Sequence, residues 1–174
     1  MLLQKLALVL GGAASGKSAY AESLVVRLNR PKVYLATAEA WDIEMQNKIA
    51  FHRKRRGSGW RTIETPRGAA QALRGILPTE AVLLDCATLW LTNHLLAEAD
   101  LEAEETELLA ALDRCPAPVT VVSNELGLGL VPETTLGRRF RDAQGRLNQK
   151  LAAQADLVVF VAAGLPLVLK GHLA

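Results

Sequence analysis

The stretch Gly11-Gly12-Ala13-Ala14-Ser15-Gly16-Lys17-Ser18 constrains the fold of this chain more than any other, because it fits GxxxxGK[ST] directly after the apolar run Leu6 to Leu10. Strand, tight loop and helix in that order commit the chain to wrapping phosphate groups with backbone N–H groups. Such a loop needs glycine where φ turns positive or where a side chain would obstruct close approach, here Gly11, Gly12 and Gly16. Ala13, Ala14 and Ser15 fill the positions between. Lys17 supplies a point charge to the β- and γ-phosphates and Ser18 offers a hydroxyl to Mg²⁺, while the helix starting there aims unpaired N–H groups at the same anion. The motif therefore predicts a bound nucleoside triphosphate, GTP or ATP, with Mg²⁺.

The 174 residues predict one nucleotide-binding catalytic domain over 1–174. Aromatic residues are scarce, and the apolar ones cluster in short Val/Leu/Ala runs, as buried parallel strands require. These runs are Leu6 to Leu10, Val33 to Ala36, Ala81 to Leu84, Val119 to Val122 and Leu157 to Val161. They alternate with helix-compatible segments, which predicts an α/β fold with a mostly parallel central sheet flanked by helices. Leu165 to Leu169 contains Pro166 and reads as an edge strand. A net charge of +2 is too small to imply a nucleic-acid partner. Cys86 and Cys115 lie far apart with no metal-ligand spacing, which suits a reduced, cytoplasmic setting. No leader or membrane span is expected.

Ligands of open α/β sheets collect at the carboxyl ends of the strands. Those ends are polar here: the phosphate loop, Thr37-Ala38-Glu39, Asp85-Cys86-Ala87-Thr88, and Ser123-Asn124-Glu125. Asp85 stands where a Mg²⁺-shell carboxylate of a P-loop enzyme would stand, although a strand-end aspartate also suits a plain helix cap. Glu125 fits a metal or substrate contact or an ordinary loop carboxylate. A helix is expected over Asp42 to Arg56, capped by Asp42, with Met45, Ile49 and His52 on one face. His52 stands near its end beside Arg53, Lys54, Arg55 and Arg56; His94 and His172 read as structural or surface residues. A second helix is expected from Glu133 to Ala155, with Leu136, Phe140, Ala143, Leu147 and Leu151 on its apolar stripe. Its other face carries Arg138, Arg139, Arg141, Arg146 and Lys150, which read as a solvated basic face.

In order and spacing these pieces resemble one family, the bifunctional adenosylcobinamide kinase / adenosylcobinamide-phosphate guanylyltransferases of cobalamin biosynthesis. The resemblance runs through Gly11 to Ser18, Tyr34 to Ala40, Asp42-Ile43-Glu44-Met45 leading to His52-Arg53, Gly59 to Glu64, and Leu84 to Asn93. It continues through Ser123-Asn124-Glu125 to Val131-Pro132-Glu133, and through Arg139-Phe140-Arg141-Asp142, Gly145, Asn148-Gln149 and Leu151-Ala152. It implies phosphorylation of adenosylcobinamide, then transfer of GMP from GTP onto that phosphate through a GMP-histidine intermediate at His52. It also implies that Arg53, Lys54, Arg55 and Arg56 contact the nucleotide, and that Thr37, Ala38, Glu39, Glu64 and Asp85 belong to the GTP site. A homo-oligomer, by resemblance a trimer, is implied too. The family carries arginine where this chain has Ala14. Two other classes fit the phosphate loop, a P-loop small-molecule kinase without nucleotidyl transfer and a non-enzymatic nucleotide-binding regulatory domain. His52 and Glu64, flanking the Gly57-Ser58-Gly59 hinge, speak for the transferase over both.

Overall fold

Seven strands form one sheet in the order β3-β2-β4-β5-β1-β6-β7. The computed structural model describes residues 4–39 and 43–173, without the side chains of Glu44, Met45, Lys48, Phe51, His52 and Arg55. The strands are β1 (Leu6–Gly11), β2 (Lys32–Ala36), β3 (Trp60–Glu64), β4 (Ala81–Asp85), β5 (Val119–Asn124), β6 (Leu157–Ala162) and β7 (Leu165–Lys170). Pairing is parallel throughout except at β6 and β7, an antiparallel hairpin that ends the sheet. Pro166 is thus tolerated on an edge strand, as expected.

Alternation of side chains along the buried strands divides the core in two. On one face, Leu8, Leu10, Leu35, Leu84 and Val121 pack against Leu73 of α3 (Ala69–Arg74), Trp90 and Leu91 of α4 (Ala87–Leu96), Leu108 and Leu112 of α5 (Leu101–Arg114), and Leu147 and Leu151 of α6 (Thr135–Gln154). On the other, Val9, Tyr34, Leu83, Val122 and Val159 pack against Ala21 and Val25 of α1 (Lys17–Arg27). The remaining helix, α2 (Ile43–Arg56), follows β2.

The structure corrects the sequence reading in several places. The edge strand β3 is absent from the apolar runs because only Trp60 and Ile63 of its residues are large and apolar, and each packs on a different core. The capping role expected of Asp42 lies outside the described residues. In α6 the cap is Thr134, whose Oγ1 accepts from Gly137 N at 3.0 Å, so the helix begins two residues later than expected. Leu136 in its first turn is half exposed, and the apolar stripe engages the core only from Phe140 onward. Gly145 lies mid-helix, where a Cβ would meet nothing within 4 Å. Since glycine costs a helix interior about 1 kcal/mol relative to alanine, Gly145→Ala is expected to raise the unfolding free energy by up to about that amount. Urea denaturation followed by circular dichroism measures it; a lower midpoint would contradict this account.

Candidate active site

The phosphate loop is braced from behind by distant parts of the chain. The turn between β6 and β7 reaches it, with Gly164 N donating to Ser15 O at 2.8 Å, and Glu125 N donates to Gly11 O at 3.1 Å. Gly16 caps α1 with φ 92° and no side chain caps the helix, so the first N–H groups of α1 face outward as an anion site. A Cβ on Gly16 would approach Gly164 Cα at 3.2 Å, and one on Gly11 would lie 2.6 Å from Val161 O. Gly12 differs, because a Cβ there meets nothing within 4 Å. Its smallness leaves room above the loop. Ser15 turns its hydroxyl under the loop toward Gly11, buried and without a partner among the described residues.

Lys17 Nζ donates to Gly12 O at 3.0 Å. Burial lowers the pKa of this ammonium, while Cys86 and the Asp85 carboxylate act in the opposite direction. Ala14 stands exposed at the rim with φ 54°, a left-handed conformation that costs a Cβ-bearing residue about 1–2 kcal/mol.

The other strand ends are tied together by buried hydrogen bonds. Thr37 Oγ1 donates to Cys86 O at 2.8 Å and accepts from Cys86 N at 2.7 Å. Thr37 N donates to Asp85 O, and Asn93 Nδ2 donates both to Thr37 O at 2.8 Å and to Pro66 O at 3.0 Å. The ends of β2, β3 and β4 are thereby locked to one another. Thr37, fully buried, is engaged at every polar group and positions the site rather than touching a ligand with its side chain. The cap of α4 is Cys86, whose Sγ accepts from Leu89 N, so the plain capping role considered for Asp85 falls to its neighbour. At the next strand end, Thr88 Oγ1 accepts from Asn124 N at 2.8 Å. Ser123, Gln144 and Asn148 form a buried network beneath it.

Between these strand ends lies a cleft of about 830 Å³, the size of a small-molecule site. Lys17, Ser18 and Asp85 line its base, with Ala13 and Ala14 at the loop side. Ala38, Glu39 and Glu64 come from the ends of β2 and β3, while Ile49, Arg53 and Arg56 enter from α2. Arg53 Nη2 meets Glu64 Oε1 at 3.5 Å, with both side chains largely exposed. The guanidinium carbon of Arg56 lies 3.4 Å from the centroid of the Tyr34 ring. Lys54 is exposed and outside the lining. The side chains of His52 and Arg55 lie outside the described residues, but the backbone of His52 is in α2 one turn before Arg56.

Several polar candidates have structural employment. Glu125 Oε1 accepts from Gly127 N at 2.5 Å, which makes it a loop carboxylate. The basic face of α6 is not simply solvated: Arg138 donates to Pro132 O and Glu133 O, Arg141 to Leu130 O, and Lys150 pairs with Glu105 at 2.5 Å. His94 is buried against Trp90, its ring 4.5 Å away, with Nε2 3.2 Å from Arg67 O. Two residues of this region, Tyr34 and Asn124, were not singled out in the sequence although each lies inside a quoted segment and both line the cleft. Tyr34 reads as a core residue inside an apolar strand, and only its position two residues before a polar strand end hints otherwise.

A loop of this shape between a central parallel strand and a helix, with an aspartate two strands away, defines a P-loop nucleotide-binding α/β protein. Solved structures agree on the fold alone. The RadB recombinase superimposes with a TM-score of 0.52 at 18% identity, covering 89% of this chain and 73% of its own. A prototypical ATPase from the type III secretion system of pathogenic bacteria gives 0.53 at 11% identity, covering 94% and 56%. Residues 7–169 match the family described as cobinamide kinase / cobinamide phosphate guanyltransferase, and the chain belongs to that family. It is 46% identical over 168 residues to the bifunctional adenosylcobalamin biosynthesis protein CobP of Pseudomonas aeruginosa, covering 95% of this chain and 97% of the relative. It is also 41% identical to the corresponding CobU of Escherichia coli, covering 94% and 98%, and 42% identical to that of Salmonella typhimurium, covering 94% and 98%.

Two predictions arise from this geometry. Burial, with Asp85 adding to it, pushes the Cys86 thiol up to about 12, and burial also raises Cys115. A thiol-specific chromogenic reagent at pH 8 is therefore expected to find both cysteines unreactive until urea is added; prompt reaction in the native state would contradict their burial. Ala14→Arg adds a cation at the rim of the loop and is expected to tighten triphosphate binding by about threefold to tenfold, measured by calorimetry. Unchanged affinity would remove Ala14 from any account of the loop's charge.

Proposed function

We propose that the protein phosphorylates the aminopropanol hydroxyl of adenosylcobinamide with a nucleoside triphosphate, then transfers GMP from GTP onto the new phosphate. The products of the second reaction are adenosylcobinamide-GDP and pyrophosphate. The observation that carries this reading is one cleft into which the phosphate loop, Asp85 and the helix bearing His52 all open, in a chain that belongs to the cobinamide kinase / guanyltransferase family. Residues 1–174 act as one catalytic domain in this reading.

In the first reaction the N–H groups of the loop and α1 and the Lys17 ammonium hold the β- and γ-phosphates. The acceptor hydroxyl oxygen bonds to the γ-phosphorus, the bond to the β-phosphate breaks with its electron pair, and the hydroxyl proton passes to solvent. In the second, a neutral imidazole nitrogen of His52 attacks the α-phosphorus of GTP, and pyrophosphate leaves with the electron pair of the broken bond. An oxygen of the substrate phosphate then attacks the phosphorus, and the nitrogen–phosphorus bond breaks with its electrons returning to the imidazole. Arg53 and Arg56 face the cleft and suit the nucleotide phosphates, with Lys54 and Arg55 assigned there by family resemblance. Glu39 and Glu64 are the cleft carboxylates suited to accept from the N1–H and amino group of guanine, and Ala38 leaves space beside them.

Mg²⁺ fits these residues. It needs few protein ligands because it keeps waters and substrate phosphates, and among the described residues no group of three or more His, Cys, Asp or Glu could hold a metal. Ser18 and Asp85 would hold it. When bound it would offset triphosphate charge.

Among the described residues no helix is long and apolar enough to cross a membrane, in keeping with a cytoplasmic enzyme acting on small molecules. Assembly into a homo-oligomer, a trimer by family resemblance, is supported by the exposed Leu165, Leu167 and Leu169 of β7.

The test is incubation with GTP labelled at the α-phosphate and Mg²⁺. An acid-labile, alkali-stable label is expected on the intact protein and absent from His52→Ala, with ATP a poor competitor. A GTP-binding protein that takes no label, or a His52→Ala variant labelled as well as the parent, would sink the covalent mechanism.

A further inference from the structure

We infer that Tyr34 is a positioning residue for guanylyl transfer, its ring seating the last turn of α2 against the strand ends. The inference rests on the reading that His52 takes up GMP.

The strand geometry brings the partners together. Tyr34 pairs with Leu83 and Ala36 with Asp85 in the parallel register of β2 and β4, so Tyr34 and Asp85 lie on the same face of the sheet, two residues apart along the strands. Tyr34 is 7% exposed. Trp60 stands edge-on to its ring, with centroids 6.3 Å apart and an 88° interplanar angle, which restricts the ring's freedom to turn. On the cleft side the Arg56 guanidinium carbon sits 3.4 Å from the ring centroid, within the distance of a cation–π contact. Arg56 Nη1 is buried with no hydrogen-bond partner among the described residues. The aromatic face is therefore a principal anchor of this side chain.

Helical spacing transmits that anchor. Residues 52 and 56 are four apart in α2 and share a face, together with positions 49 and 53, which also line the cleft. Seating Arg56 on Tyr34 thus sets the rotation of α2 about its axis and, with it, the face on which His52 stands. Along the same strands Asp85 lies one pleat further on, on the face that carries Tyr34. The two proposed reactions attack different phosphorus atoms of a triphosphate, and because β2 and β4 hold Tyr34 and Asp85 in fixed register, the seat of α2 keeps a constant spacing from Asp85.

The experiment uses the full chain, α-labelled GTP and Mg²⁺, and compares the parent with Tyr34→Phe and Tyr34→Leu. Tyr34→Leu is expected to slow labelling at saturating GTP by about 10- to 100-fold. The GTP concentration that half-saturates phosphoryl transfer should move by less than about threefold, because the loop that holds the triphosphate is untouched. Tyr34→Phe keeps the ring on which Arg56 sits and should restore labelling to within about threefold of the parent. Labelling of Tyr34→Leu at the parent's rate overturns the inference. So does an equal fall of both activities that Phe fails to rescue, which would mark a purely structural residue. A parent protein that takes no label instead defeats the reading of His52 on which the inference stands.

Discussion

One buried hydroxyl governs the arrangement of the whole cleft. Thr37 Oγ1 both gives and receives a hydrogen bond at the Cys86 peptide unit, so the chain leaving β2 and the chain leaving β4 are held at a single separation. Losing it would leave the buried Cys86 N–H without this partner, at about 1–3 kcal/mol, while Cys86 O would still accept from Trp90 N at 3.1 Å. The larger consequence is geometric. Asp85 directly precedes this contact, Tyr34 stands three residues before Thr37, and the loop leading into α2 follows it, so a shift at Thr37 would move all three.

Around that point the site is assembled from backbone ends rather than from one dense cluster of side chains. Asn93 joins Thr37 to Pro66, Thr88 receives Asn124 N, and Asn148 supports Asn124 from below. Each is a short polar side chain on a helix that reaches to the backbone of a strand end or its following loop. Low exposure makes such bonds strong and makes their loss costly. The result is a rigid floor, above which α2 supplies the longer, more exposed arginines. A stiff base for phosphates beneath a wall of basic side chains suits a protein whose two proposed reactions use different atoms of a triphosphate.

The sequence made the fold legible because its central strands are buried on both faces and therefore appear as unbroken apolar runs. β3 escaped for the same physical reason in reverse: as an edge strand it places one apolar residue on each face, Trp60 and Ile63, among Arg61, Thr62 and Glu64, and no run emerges. The phosphate loop and Asp85 were legible because spacing along the chain specifies them. Thr37 was assigned to the GTP site by the family resemblance, and its residue type adds only that a hydroxyl is present. Its orientation, toward Cys86, depends on a neighbouring strand 49 residues away. Tyr34 was missed by the same logic, since a tyrosine in an apolar strand gives no local sign that an arginine will lie on its ring.

The brace behind the phosphate loop links the timing of folding to chain order. Gly164 and Ser15 are joined by a hydrogen bond, yet nearly the entire chain separates them. During synthesis the loop and its helix leave the ribosome early, whereas the hairpin that backs them emerges only after β6. A growing chain therefore carries a phosphate loop without its brace until the β6–β7 turn arrives, so the backing of the loop is completed long after its own strand and helix have emerged.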